Sequence, residues 1–358
     1  MNNRIKLVSK IKFKFDKKIH KNYFSAQYFI KAKKCLKNSQ QISSLQFIHF
    51  TDHPIMMCGL NEIKQLLKFF LSKKQQKKIK LFSHLDGQII DSKDTPLMLI
   101  KGHYKDIMCL ENIIDGILSQ RCSVATNAWL AQQALKAGQK IIYMTDRSNN
   151  YFSQPYDAYP AYLAGVDLFV TKAQTQFINM DSNVQVVGTI PHALIQQYQN
   201  NLIAMIEDYR FYFPNDQLLC LIDYENDVIK TLNSLLPIMD KIDGFRIDTS
   251  INLIDKSLVD IAPNAYGVNE KLVQLVNDWL VTHQLTNKKI CLTSKIDNRF
   301  IEKMNQHNLK IDYFGIGSFF LKNSVHVTAD LVETNGKLNA KVGRTLLKNH
   351  HLLHEIKL

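Results

Sequence analysis

The sequence lacks any apolar run that approaches the roughly 18 residues needed to cross a membrane as a helix. Its amino terminus, MNNRIKLVSKIKFKFDKK, is basic. It has neither the continuous apolar stretch of a secretory signal nor the arginine and serine content of a transit peptide. We therefore expect a cytoplasmic protein without a membrane partner.

Cysteine pairs at the spacing of zinc or dithiol sites are also missing. The chain has six cysteines, and no two of them stand in a C-x-x-C arrangement. We expect reduced thiols that are mostly buried. No metal-binding motif is visible, so the sequence leaves any metal ligands unknown.

Acidic residues are fewer than basic ones, which gives the chain a net charge of +13. The lysines are spread along the chain, and a local cluster such as KKQQKKIK (73–80) is most simply a solvated helix end or connection. Basic and aromatic residues are not interleaved as in grooves that bind nucleic acid. We expect no nucleic-acid partner. A compositional bias of the whole sequence explains the positive charge most simply, and a polyanionic small substrate is the alternative.

What the sequence does contain is a series of short apolar runs from about residue 116 onward, most of them rich in β-branched or aromatic residues. Helical patterns separate them, and the third is expected to bend or end near Pro237. Alternating strands and helices predict βαβ units and a parallel sheet. The predicted strands are 140–144, 166–170, 184–188, 218–223, 244–248, 289–293 and 311–317, and the predicted helices are 123–138, 192–209, 226–242 and 269–283.

Polar or charged residues follow nearly every predicted strand. In a β/α barrel the strand ends converge on one face, which holds the active site. An open sheet would concentrate such residues near one switch point. We therefore predict an incomplete parallel α/β barrel over 116–319. Turn signals at Asp86-Gly87 and Asn335-Gly336 predict strands near both chain ends, so 1–115 and 320–358 are expected to form one α+β sandwich domain.

The stretch VVGTIPHAL (186–194) is the most informative candidate site. Gly188 lets the backbone approach a ligand, Thr189 offers a hydroxyl, and His192 stands where a helix should begin. Free N–H groups at a helix start bind anions, and histidine beside phosphate can act as acid, base or nucleophile. The alternative is a histidine satisfied by a backbone group.

The motif GFRIDTS places Arg246 and Asp248 two residues apart, hence on one face of a strand. They form either a structural ion pair or a site in which the arginine binds a carboxylate or phosphate and the aspartate hydrogen-bonds to a ribose hydroxyl. Asp223, at the end of LLCLID, could join them or simply cap the next helix.

A second group of candidates would bind phosphate. Gly315, Gly317 and Ser318 form a glycine-rich strand-to-helix turn, FGIGS, and late loops of barrels often cradle phosphate through backbone N–H groups. The preceding strand ends in Thr293 and Ser294, which could supply donors to the same phosphate.

Together these motifs resemble nicotinate phosphoribosyltransferase. The resemblance runs in order over 23–344 through GTIPHAL, LIDYENDVIKTL, GFRIDTS, IDYFGIG and VETNGKLNAKVGR, and VGTIPHALI is its most specific motif. It implies the type II phosphoribosyltransferase fold, with an incomplete barrel of about seven strands and a domain built from both chain ends. It also implies a homodimer with the active site completed across the interface.

The implied reaction joins nicotinate to phosphoribosyl pyrophosphate, giving nicotinate mononucleotide and pyrophosphate, with ATP hydrolysis coupled to it. By position, His192 matches the histidine that the family phosphorylates from ATP. Tyr28 matches a tyrosine that stacks on the pyridine ring, and Arg147 matches an arginine near the nicotinate carboxylate and the phosphates. Mg²⁺ would bridge pyrophosphate oxygens with few protein ligands.

The remaining matches concern the sugar and its phosphate. Asp223 matches a strand-end aspartate facing the ribose, and Arg246 and Asp248 match a substrate-binding pair. Gly315 and Gly317 match the turn that holds the ribose 5′-phosphate.

The sequence departs from the family pattern in three places. It has Ala26-Gln27 where members often carry an aspartate before the stacking tyrosine, 145–148 (TDRS) in place of Gly-x-Arg-Arg, and 293–295 (TSK) in place of Ser-Gly-Gly. Two alternatives therefore stay open: a quinolinate or nicotinamide phosphoribosyltransferase of the same fold, or a ligand-binding descendant without catalysis.

Overall fold

The structure, a computed structural model, describes residues 2–358. It contains two large sheets, one parallel and one antiparallel. The strands are β1 (Ile42–His49), β2 (Ile55–Met56), β3 (Lys80–Ser83), β4 (Ile89–Ile90), β5 (Met98–His103), β6 (Lys140–Tyr143), β7 (Leu168–Phe169), β8 (Gln185–Val186), β9 (Leu219–Leu221), β10 (Gly244–Ile247), β11 (Lys289–Leu292), β12 (Tyr313–Ile316), β13 (Val327–Thr334), β14 (Lys337–Leu338) and β15 (His354–Ile356).

The helices lie between these strands and mostly cover the outer side of the parallel sheet. They are α1 (Asn2–Val8), α2 (Gln27–Cys35), α3 (Leu60–Phe70), α4 (Lys73–Gln76), α5 (Tyr104–Ile107), α6 (Glu111–Gln133), α7 (Gln154–Leu163), α8 (His192–Gln197), α9 (Leu202–Tyr212), α10 (Val228–Leu235), α11 (Glu270–Thr282) and α12 (Asn298–Gln306).

The parallel sheet has the strand order β8-β7-β6-β12-β11-β10-β9. Its seven strands fall within the seven runs predicted from the sequence, and all neighbours pair in parallel. β8 and β9 form its two edges, with two and three residues respectively. The sheet is therefore a half-barrel, and the predicted incomplete α/β barrel is confirmed.

Alternate residues of these strands face opposite sides of the sheet. Tyr143, Phe245 and Phe314 point outward into the large apolar core that the helices complete. Ile142 and Cys291 belong to a smaller apolar cluster on the inner face. The inner face therefore has an apolar floor, and polar side chains lie above it towards the carboxyl ends of the strands.

The antiparallel sheet has the order β14-β13-β1-β5-β3-β15. β13 pairs with β1 and β15 pairs with β3, so both chain ends contribute to it, as predicted. Its two edge strands, β14 and β15, have two and three residues. Asn335 and Gly336 have φ of 50° and 78°, the left-handed values that a tight β-hairpin turn requires, and they join β13 to β14.

Three predicted helices differ from the observed ones. The helix predicted over 123–138 is the later part of α6, which begins at Glu111. The helix predicted over 192–209 is divided into α8 and α9, because Gln199 and Asn200 adopt left-handed φ of 51° and 65° between them. The third predicted helix ends as α10 at Leu235, and a 3-10 turn containing Pro237 follows, as expected.

The first residues of the chain contact the parallel half of the molecule. Arg4 lies over the ring of Tyr162 and forms a 2.7 Å ion pair with Asp167. The predicted domain boundaries at 115/116 and 319/320 remain predictions. All six cysteines are free thiols, five of them buried. Over residues 2–358, no helix combines the length and the apolar character that a membrane crossing requires.

Candidate active site

Polar side chains from both edges of the half-barrel meet at its carboxyl end. Thr189 and His192 follow β8 at one edge, whereas Asp223 follows β9 at the other and Arg246 lies on the neighbouring β10. His192 bonds to Asp223, and Arg246 donates to the Thr189 hydroxyl. Because these two contacts join residues that follow β8 to the β9–β10 side of the sheet, they bridge the opening of the incomplete barrel.

The first bridging contact is a histidine–carboxylate pair. Nε2 of His192 lies 3.3 Å from Oδ2 of Asp223, and the two side chains are 41% and 6% exposed. The hydrogen bond to Asp223 is the largest influence on the His192 pKa and raises it, helped by the charges of Asp223 and Asp248, while burial and Arg246 oppose the shift. An ionised carboxylate only accepts, so Nε2 carries the proton, and in the neutral ring Nδ1 keeps its lone pair.

The second contact centres on Arg246. Its guanidinium donates to Thr189, and Nη2 lies 3.5 Å from Oδ2 of Asp248. Arg246 and Asp248 share the inner face, as their spacing predicts. The Arg246 side chain is only 12% exposed, which suits a cation that holds an anionic ligand in a poorly hydrated place.

Two buried polar atoms of these side chains have no partner within residues 2–358: Oδ1 of Asp223 and Nε of Arg246. Buried polar groups are nearly always hydrogen-bonded, so such a concentration is unusual. A polar ligand with both acceptors and hydroxyl donors would satisfy these groups. The arrangement therefore has the character of a binding site and does not serve only to connect the two sides of the half-barrel.

The turn after β11 has an unusual backbone. Ser294 and Lys295 have φ of 81° and 50°, left-handed values that favour glycine. Thr293 is buried, and its N–H donates to the carbonyl of Ile247 at 3.0 Å. Its hydroxyl also lies 3.4 Å from that carbonyl, so its side chain is directed at β10 and not at an open pocket. Ser294 is half-buried beside it.

The glycines of FGIGS have steric reasons that the sequence does not reveal. A Cβ on Gly315 would lie 2.6 Å from Cγ2 of Thr293 and 2.7 Å from Sδ of Met144, which directly follow the two neighbouring strands β11 and β6. A Cβ on Gly317 would lie 2.9 Å from the carbonyl oxygen of Met144. Ser318 is exposed in the following turn. Gly315 is thus a packing position in the strand, and the turn proper begins at Gly317.

Two of the predicted substrate-binding residues lie outside the bridging group, which consists of Thr189, His192, Asp223 and Arg246. Arg147 is exposed in the turn after β6. Tyr28 is 66% exposed on α2, with its ring 4.4 Å from that of Phe29. Phe29 packs on Met108 and Cys109, so α2 belongs to the surroundings of the antiparallel sheet. The structure brings together Thr189, His192, Asp223, Arg246 and Asp248, and Tyr28 stands apart from them.

Sequence reasoning missed Tyr224. Its ring is stacked near that of His192, with centroids 6.5 Å apart and planes at 27°. The available signal was its position directly after Asp223 at a strand end.

A surface cleft of about 560 Å³ lies at the opposite, amino-terminal end of β9 and β10. Arg210 lines this cleft, and its guanidinium already donates to Asp243 and to two carbonyls, those of Asp216 and Lys241. The bridging group at the carboxyl end therefore remains the better candidate site, since its buried polar atoms are unsatisfied.

No protein-family model matches the chain, and no curated protein sequence matches it. Solved structures do match. The crystal structure of nicotinate-nucleotide pyrophosphorylase from Pyrococcus furiosus is 20% identical with a TM-score of 0.75, over 94% of this chain and 81% of that one.

Two further structures have the same fold at lower identity. Human nicotinic acid phosphoribosyltransferase is 14% identical with a TM-score of 0.64, over 88% of this chain and 76% of that one. Nicotinate-nucleotide pyrophosphorylase from Ehrlichia chaffeensis is 13% identical with a TM-score of 0.60, over 90% of this chain and 100% of that one. The chain is thus similar to these enzymes in fold, as the sequence resemblance predicted at that level.

Proposed function

We propose that the protein is a nicotinate phosphoribosyltransferase that joins nicotinate to phosphoribosyl pyrophosphate, giving nicotinate mononucleotide and pyrophosphate. The observation that carries this proposal is the bridging group of His192, Asp223 and Arg246, with its unsatisfied buried atoms, at the carboxyl end of the half-barrel. The fold shared with solved pyridine-nucleotide enzymes supports it.

The reaction needs charge stabilisation more than proton transfer. The pyridine nitrogen supplies an electron pair to C1 of the ribose, the C1–O bond breaks, and pyrophosphate leaves with that pair. Positive charge develops on the ribose ring, as in glycoside cleavage. The carboxylates of Asp223 and Asp248 would stabilise that positive charge, and Arg246 would stabilise the negative charge of the departing pyrophosphate.

ATP coupling would use the free ring nitrogen of His192. With Nε2–H held by Asp223, Nδ1 attacks the γ-phosphorus of ATP and ADP leaves. Water then releases phosphate from the ring after the transfer. The partial exposure of His192 allows ATP to reach it, whereas the buried Asp223 fixes the orientation of the ring.

The turns at 293–295 and 317–318 would hold the 5′-phosphate, and Arg147 the carboxylate of nicotinate. Mg²⁺ would arrive with the pyrophosphate, whose charge it neutralises. Within residues 2–358 no three His, Cys, Asp or Glu side chains form a metal cluster. The unsatisfied oxygen of Asp223 and the carboxylate of Asp248 are of the kind that Mg²⁺ prefers and would hold it.

We further propose a homodimer in which α2 of one protomer covers the site of its partner and supplies Tyr28 to stack on the pyridine. Tyr23, Phe24 and Tyr28 are 69%, 44% and 66% exposed, an apolar surface that pairing would bury. Mixing His192→Ala with Tyr28→Ala protein tests it, because hybrid dimers would contain one intact site. Activity that does not recover on mixing argues against a shared site.

The substrate assay supplies phosphoribosyl pyrophosphate, Mg²⁺ and ATP with nicotinate, nicotinamide or quinolinate, and detects the mononucleotide by chromatography. We expect product with nicotinate. Product only with another pyridine would reassign the substrate, and no product with any would favour a non-catalytic, ligand-binding protein.

His192→Ala should lose the stimulation by ATP more than the basal transfer, with His307→Ala, an exposed histidine at the end of α12, as the control. Equal loss of both activities would contradict the phosphate-carrier role.

A further inference from the structure

Asp157, on α7, is a buried carboxylate that the proposed chemistry does not use. It is 3% exposed, and its two oxygens face different neighbours. Oδ1 lies 3.4 Å from Nε2 of Gln120 and 3.8 Å from Nη1 of Arg121. Oδ2 accepts from the hydroxyl of Ser153 at 2.6 Å and from Nδ2 of Asn149 at 3.1 Å.

The Oδ1 side is fixed by a buried ion pair. Arg121 makes a two-point contact with Glu62, at 2.9 and 3.2 Å, and the hydroxyl of Tyr159 donates to the same carboxylate at 3.1 Å. The backbone carbonyl of Asp157 accepts from Tyr143, on β6, at 2.6 Å. Asp157 is therefore held rigidly between α6, α7 and the half-barrel.

The Oδ2 side holds a turn at the carboxyl end of β6. Ser153 and Asn149 bracket residues 149–153, and Arg147 lies in the turn that directly precedes this segment, two residues before Asn149. Tyr151 and Phe152 within it are 67% and 73% exposed, so the turn has little apolar packing of its own. The segment also has hydrogen bonds of its own, from the Phe152 N–H to the Asn150 side chain and from the Ser153 hydroxyl to the Asn150 carbonyl. The two bonds to Asp157 are the ones that tie it to the buried ion pair.

We propose that Asp157 is a positioning residue that anchors this turn so that Arg147 is held ready for an anionic group of the substrate, in the first instance the pyridine carboxylate. The inference rests on the proposed function for the identity of that group. An exposed arginine on a free turn would lose conformational entropy on binding, and anchoring the turn beforehand reduces that cost.

The test removes the turn's donors and leaves the buried pair intact. Asn149→Ala and Ser153→Ala, combined, should raise the KM for nicotinate roughly tenfold with kcat nearly unchanged, since two hydrogen bonds to a charged group are lost. Ser153→Thr keeps the hydroxyl and should restore most of the Ser153→Ala loss. Ser234→Ala, which removes a comparable hydroxyl bond on α10, is the control and should change neither constant.

A double-mutant cycle separates positioning from general damage. If Asp157 acts through Arg147, the Asn149→Ala/Ser153→Ala pair should have little further effect on KM in an Arg147→Ala background. A full additional tenfold rise there would overturn the proposal.

Amide hydrogen exchange of the protein without substrate supplies a second readout. The amides of 148–153 should exchange at least roughly tenfold faster in the double variant, as local opening becomes easier. Unchanged exchange overturns the anchoring role even if the wild-type protein makes no mononucleotide. Failure of the proposed function and failure of this inference are thereby distinguished.

Discussion

Gly315→Ala should lower the free energy of unfolding by about 2 kcal/mol, within the ~1–3 kcal/mol that overpacked cores lose. The new Cβ would lie 2.6 Å from Cγ2 of Thr293 and 2.7 Å from Sδ of Met144, about 1 Å inside ordinary contact. Met144 is flexible and can withdraw. Thr293 is β-branched and stiff, so its methyl group decides the outcome.

Thr293→Ser removes that methyl group. We therefore expect the double variant Gly315→Ala/Thr293→Ser to regain most of the stability that Gly315→Ala loses, measured against Thr293→Ser alone by denaturant unfolding followed by circular dichroism. Gly116→Ala is the matched control. It lies within α6, where a Cβ would have nothing within 4 Å, and it should stabilise the protein by ~0.5–1 kcal/mol as helical alanine replaces glycine.

Two results would refute this reasoning. One is wild-type stability of Gly315→Ala, and the other is a loss of stability that persists when Thr293 is shortened. In either case the glycine would not be required by packing between β6 and β11, and close approach of a ligand to the strand would become the explanation for it.

Other predictions concern titration and backbone strain. Asp223→Asn should lower the pKa of His192, measured by NMR titration, because the hydrogen bond to Asp223 raises that pKa. The pair stabilises the folded state while His192 is protonated, and this contribution is lost as pH rises through the raised pKa. An unchanged pKa of His192 in the variant would contradict the contact. Ser294→Gly should raise the free energy of unfolding by up to ~1 kcal/mol, because glycine adopts a φ of 81° without strain, and the denaturation midpoint should rise accordingly. A lower midpoint would show that the side chain is needed. Burial raises the pKa of Glu111 and of Asp115 to about 7, so the folded state holds more protons than the unfolded state between about pH 4 and about pH 7. The melting temperature should therefore fall as pH rises through this range, and Glu111→Gln should make the fall smaller. The same dependence of melting temperature on pH in the variant would argue against buried, protonated carboxyl groups.

The sequence was sufficient to predict the seven strands of the parallel sheet, because each is an apolar run between polar ends. It also predicted the shared face of Arg246 and Asp248, which follows from strand periodicity. The hairpin at Asn335-Gly336 was predictable because those residues tolerate left-handed φ.

Other features depend on contacts between distant parts of the chain. The division of the helix after His192 rests on Gln199 and Asn200, of which only the asparagine is a common left-handed residue. The packing role of Gly315 depends on Met144 and Thr293, which follow β6 and β11. Asp157 looks like an ordinary helical carboxylate until Arg121 is brought beside it.

The bridging of the half-barrel could not be predicted either. Which edge each strand occupies is a property of the sheet order, and the sequence does not state it. Only that order places His192 and Asp223 on opposite sides of the same opening.

All four edge strands of the two large sheets are only two or three residues long. An exposed edge is a template on which another chain can add a strand, and the hazard grows with its length. Strands this short offer too few free backbone groups to nucleate fibrous growth, and the surplus of lysine makes identical molecules repel one another. The chain can therefore leave its barrel unfinished without becoming prone to aggregate through the gap.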